Sequence, residues 1–132
     1  MKKMKKMVLL SAMAALFLGN VLAVAAATPN TANYSGYVKK TVDFESDTLQ
    51  KVNLNDDATN KVEIIDEGSW CCWIENYLGM RITNKATFKG PGTVYMQYDD
   101  GGFVGTTHLV ISTTITNFSS SYVSGVWSPD YF

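Results

Sequence analysis

Two regimes of hydrophobicity divide the chain. Residues 7–18 form an apolar run behind Lys2, Lys3, Lys5 and Lys6, and small residues dominate from Val21 to Ala27. From Tyr34 onward the pattern changes. Short segments rich in β-branched and aromatic residues alternate with Gly, Asn, Asp and Ser clusters, and no useful stretch carries a 3.6-residue period. The segments 34–44, 49–54, 61–65, 69–75 and 93–98, and those over 107–116 and 121–127, read as strands. A hairpin at Asn76-Tyr77-Leu78-Gly79 leads into 80–84, and 85–88 continues the sheet. The strongest turns are Lys89-Gly90-Pro91-Gly92 and Asp99-Asp100-Gly101-Gly102.

Alternation also predicts faces. In 69–75, Trp70, Cys72 and Ile74 share one side while Cys71, Trp73 and Glu75 share the other. Both sides are largely apolar, so this strand is expected to be central and covered twice. Val94, Met96 and Tyr98 share a side, as do Leu109, Ile111 and Ile115. About seven or eight short strands with regular turns predict an all-β fold, a single small antiparallel β-sandwich over 34–132. An open-ended barrel is the alternative arrangement. Residues 55–60 read as a turn, and the polar stretch 28–33, with Pro29, reads as a disordered lead.

The first 27 residues read as a helical signal peptide. A basic start, a short apolar segment and an Ala-x-Ala site form the tripartite export signal. Ala25 and Ala27 define cleavage after Ala27, with cleavage after Ala25 nearly equivalent. The implied partners are the general secretion machinery and signal peptidase. A spanning helix wants about 20 apolar residues, more than the unbroken run supplies. No cysteine lies near the site for lipid attachment, so no stable membrane anchor is expected in the mature form. The expected location is extracellular, as a secreted protein.

Cleavage alters the charge. Removing residues 1–27 from 132 leaves 105, a normal single-domain length. Four of the 11 basic residues leave with the leader, so seven face 12 acidic ones at a net charge of −5. Such a chain is a poor partner for nucleic acid through charge alone.

The cysteines are the adjacent pair Cys71 and Cys72. Neighbouring Cα atoms lie about 3.8 Å apart, whereas disulfides favour about 4.4–6.8 Å. A strained vicinal disulfide, two buried thiols or a link to another chain are the open states. Thiols packed as small hydrophobes are the favoured one.

Little in the pattern suggests chemistry. His108 is the only histidine, lies mid-strand and follows no nucleophile motif. Asp56-Asp57 and Asp99-Asp100 lack the ligand spacing of a calcium loop and fit turns. Asn33-Tyr34-Ser35 and Asn117-Phe118-Ser119 match a glycosylation sequon, which carries no weight behind a bacterial-style signal. No catalytic, cofactor or metal site is expected, and the protein is not expected to be an enzyme. Trp70, Trp73, Tyr77, Tyr95, Tyr98 and Trp127 are candidates for an aromatic binding platform, though aromatics also fill cores.

Trp73-Ile74-Glu75-Asn76, Gly79, Arg81, the segment Gly90-Pro91-Gly92-Thr93-Val94-Tyr95 and the ending 119–130 resemble a group of small secreted proteins of Gram-positive bacteria with no established function. The resemblance covers roughly residues 61–130 and implies a fold and export, but no activity. Cys71 and Cys72 stand outside the shared pattern. A looser similarity, at Glu67-Gly68-Ser69-Trp70, is to the β-sandwich lactococcin bacteriocins, whose His-containing and Tyr-Gly motifs are missing here. The export signal, the small size and the lack of chemistry point to an exported protein acting by binding, bacteriocin-like in one version. The alternative is a cell-surface or matrix adhesion module recognising polysaccharide or peptide.

Overall fold

A computed structural model describes residues 30–100, 102–113 and 120–132. The expected signal peptide, its cleavage residues Ala25 and Ala27, Ile115 and the second sequon lie outside the described residues. Among the described residues no helix is long and apolar enough to cross a membrane.

The described residues are all-β, with nine strands among them in two antiparallel sheets. They are β1 (Ala32–Lys39), β2 (Phe44–Glu45), β3 (Leu49–Lys51), β4 (Ala58–Ile64), β5 (Trp70–Asn76), β6 (Ala86–Phe88), β7 (Gly92–Met96), β8 (Gly105–Thr113) and β9 (Ser120–Ser128). Sheet A runs β1-β9-β4-β7. In sheet B, β2 and β3 share one edge of β8, with β5 and then β6 on the other side. The expected sandwich is therefore the architecture found.

One corner is stitched in the manner of a barrel. Ile82 N donates to Ile74 O, which ties 80–84 to β5. The same segment pairs with the residues after β7: Thr83 bridges to Tyr98, and Asp99 N donates to Ile82 O at 3.0 Å. The 80–84 segment thus belongs to both sheets.

The core follows the alternation. Trp70, Cys72, Ile74, Leu109 and Ile111 from sheet B meet Val38, Val62, Met96, Val123 and Trp127 from sheet A. On the other side of β5, Cys71 and Trp73 pack with Val110 as a second small buried cluster. The strand is covered on both faces, as its pattern predicted.

Three boundaries differ from the sequence reading. Strand β1 begins at Ala32, so Ala32 and Asn33 leave the expected lead. They pair with Trp127 and Val126, and the Asn30 side chain donates to Gln50 O. The single strand expected over 34–44 is two, because residues 40–43 turn the corner between sheets. Strand β4 begins at Ala58 inside the expected turn, since Ala58, Thr59 and Asn60 are all buried against β7 and β9.

Candidate functional site

The aromatic residues separate into two populations. Trp70 and Trp127 are 1% and 0% exposed, and Trp73 and Tyr98 are buried too. These four do not form an exposed platform, contrary to expectation. Trp70 and Trp127 occupy inward positions of their strands, and Tyr98 lies buried just past β7, where it bridges to Thr83. Trp73 faces outward from sheet B but is covered, with Lys85 Nζ 4.7 Å above its ring and its Nε1 donating to Glu75 Oε2. Of the two remaining candidates, Tyr95 keeps half its surface exposed, and Tyr77, in the turn after β5, is 74% exposed.

The exposed aromatic surface lies mostly on the outer face of sheet A. Tyr37 and Tyr122 are opposite one another on β1 and β9 and meet edge to face at 5.5 Å. Tyr95 on β7 stacks with Tyr131 at 5.7 Å and 14°. All four remain exposed by two-fifths or more. Tyr131 was not among the candidates, because nothing local shows that residue 131 folds back over β7. Between the two pairs the register places Ser35 beside Ser124, and Asn33, Val126, Lys61 and Thr93 in one row. Ser35, Ser124, Asn33 and Val126 also border a groove of about 660 Å³, whose other wall includes Phe44 and Asp47.

The C-terminal segment is held by a buried ion pair that sequence reading missed. Lys51 Nζ lies 2.9 Å from Asp130 Oδ1, with both side chains enclosed. Lys51 also donates to Asp56 O and sits 4.4 Å over the Tyr98 ring. Asp130 accepts from Val52 N and Asn53 N, and its own N–H donates to Ser128 Oγ. Tyr98 OH donates to Pro129 O. Every strong group here has a partner, which is the condition for tolerating buried charge. The network sits under the strand end that carries Tyr95 and positions Tyr131 beside it.

Cys71 and Cys72 are both buried and are not bonded to one another. Cys72 points into the core near Asn60, whose Oδ1 accepts from Tyr34 OH at 2.7 Å. Burial pushes the Cys72 thiol up from 9.0 to about 12. The Asn60 side chain offsets part of that shift, although its Nδ2 makes no well-formed hydrogen bond. Burial raises Cys71 as well. Neither is poised as a thiolate nucleophile near neutral pH.

The shift makes an alkaline prediction. The unfolded chain releases this proton near pH 9 and the folded chain near 12, so hydroxide favours unfolding across that window. Stability is expected to be level up to about pH 8.5 and to fall above it, by at most about 1.4 kcal/mol per pH unit per thiol. Urea unfolding at pH 8 to 10 checks this. Cys72→Ala should flatten the curve more than Cys71→Ala, and a flat wild-type curve would contradict the burial argument.

His108 Nε2 lies 3.1 Å from Glu75 Oε1 and 3.7 Å from Glu45 Oε1. Glu75 is its opposite number across β5 and β8, so this is a cross-strand pair. Cys71 lies on the same face but four residues along β5, about 13 Å away by strand rise. The register therefore does not bring thiol and imidazole together. Among the described residues no cluster of His, Cys, Asp and Glu is placed to hold a metal ion. Comparison with known proteins finds no family model that matches this chain and no curated protein that matches it.

Proposed function

We propose that the mature chain is a secreted protein of a Gram-positive bacterium that acts by binding at an extracellular surface, with the outer face of sheet A as its contact surface. The observation that carries this reading is the exposed pairing of Tyr37 with Tyr122 and of Tyr95 with Tyr131 on one sheet face. Tyrosine offers a large rigid contact area at low entropic cost, and Ser and Asn beside it add adaptable hydrogen bonds. The buried, protonated thiols and the carboxylate-bound His108 favour binding over catalysis. The reading needs no cofactor.

Purified residues 28–132 should be retained on cell walls, wall polysaccharide or a peptide array. Tyr37→Ala and Tyr95→Ala should weaken retention while leaving the melting curve unchanged. No retention on any of the three surfaces would overturn the proposal. A bacteriocin-like antagonist is the version in which the target is a competitor's surface, and inhibition zones on lawns of related bacteria would identify it. It would require the whole domain. Glu67-Gly68-Ser69-Trp70 runs directly into β5, so a product starting there would lack β1 to β4.

A further inference from the structure

We propose that the ligand is an extended, uncharged glycan that lies across the outer face of sheet A and stacks on both tyrosine pairs at once. This rests on the binding reading above and names its ligand class.

The first argument is spacing. Tyr122 and Ser128 lie on the same side of β9, six residues apart. Ser128 pairs with Thr59, and Thr59 with Tyr95, two strands across. Strand rise and strand spacing then place the pairs about 20 Å apart along a diagonal of the sheet. That span suits a chain of several sugar rings and exceeds any single ring.

The second argument is what lies between. Ser35, Ser124, Asn33 and Thr93 supply hydroxyl and amide groups on the path, with Lys61 between Val126 and Thr93 and the apolar Val126 and Ile64 beside them. A polyhydroxylated chain has apolar C–H faces for the rings at each end and hydroxyls for the centre.

The third argument is charge. The mature chain carries five more acidic than basic residues. On the strands of this face the exposed charges are Lys39 and Lys61 against Glu63 at the β4 bulge. The face is nearly neutral on an acidic protein, which matches an uncharged polymer better than teichoic acid or a polycation.

Two weak subsites joined by one ligand act as a linked pair. A ligand long enough to reach both gains about 10²–10⁴ in affinity over one that reaches a single site. Isothermal titration should use size-fractionated neutral cello-, malto- and N-acetylated chito-oligosaccharides and neutral wall polysaccharide, with teichoic acid and deacetylated chitosan as charged arms. At least one neutral series is expected to bind, with a step of about 100-fold or more once the chain spans both pairs. Tyr37→Ala and Tyr95→Ala should each abolish the step while Tyr95→Phe keeps it, and disaccharide affinity should fall far less than that of the long chain. Equal affinity for disaccharide and long chain, tighter binding of a charged polymer, or no binding by any neutral glycan would overturn the inference. If walls or peptides still retain the protein through the same tyrosines, the binding reading stands and only the glycan assignment fails.

Discussion

Asp130→Ala should destabilise the domain by about 3–5 kcal/mol, because it strands a lysine that has no route to water. The Lys51 side chain is completely enclosed, and its ammonium has Asp130 as its only ion-pair partner among the described residues. Removing the carboxylate also takes the acceptor from Val52 N and Asn53 N, so the loop after β3 loses its anchor. A domain of this size has about 5–15 kcal/mol in total, so a large part of it is at stake. Urea unfolding monitored by tryptophan fluorescence measures the change. The double substitution Lys51→Met with Asp130→Leu should recover most of the loss, since an apolar pair of similar volume leaves no uncompensated charge. A cost below about 1 kcal/mol for Asp130→Ala would place the pair in the range of exposed ion pairs and contradict its enclosure.

Trp127→Ala is expected to cost about 3–5 kcal/mol, and Trp70→Ala a similar amount, through lost burial and the cavity left behind. Trp127 faces the core from the strand between β1 and β4, with Ala32 and Asn60 as its register partners. Trp70 faces it from sheet B and donates its indole N–H to Asp66 O, which a truncation also orphans. Tyr95→Ala should shift stability by no more than about 0.5 kcal/mol, as exposed substitutions usually do. Thermal melts of the three variants give the comparison. The contrast separates aromatics that hold the fold from those left free to touch something else. If Tyr95→Ala were as costly as Trp127→Ala, its ring would be structural and the binding face would lose one end.

That separation was only partly legible in the sequence. Alternation placed Trp70, Cys72 and Ile74 on one face, and Val94, Met96 and Tyr98 on one side, because a local period of two decides those positions. It could not tell that Trp73, on the solvent side of its strand, is sheltered by Lys85, which arrives from a different segment. Asn55 to Asn60 looked like a turn because its residues are polar. Asn60 is nonetheless fully buried, since Tyr34, 26 residues away, supplies the hydrogen bond that makes burial tolerable. Lys51 and Asp130 looked like ordinary surface charges and lie 79 positions apart. Tyr131 had no local pattern to place it. Faces are written in short-range alternation, whereas strand pairing and polar burial depend on partners that only the fold supplies.

The position of β9 also governs the order of events in folding. It is the last strand in the sequence and lies between β1 and β4, making antiparallel pairs with both. Until it arrives, β1 has no neighbour in its sheet, and the β4–β7 pair is all that sheet A can assemble. Contacts that span nearly the whole domain form slowly, since the loop must close before they give anything back. The segment that completes sheet A, with Asp130 just behind it, is synthesised after every other strand described, so sheet A cannot close on a nascent chain that stops short of it.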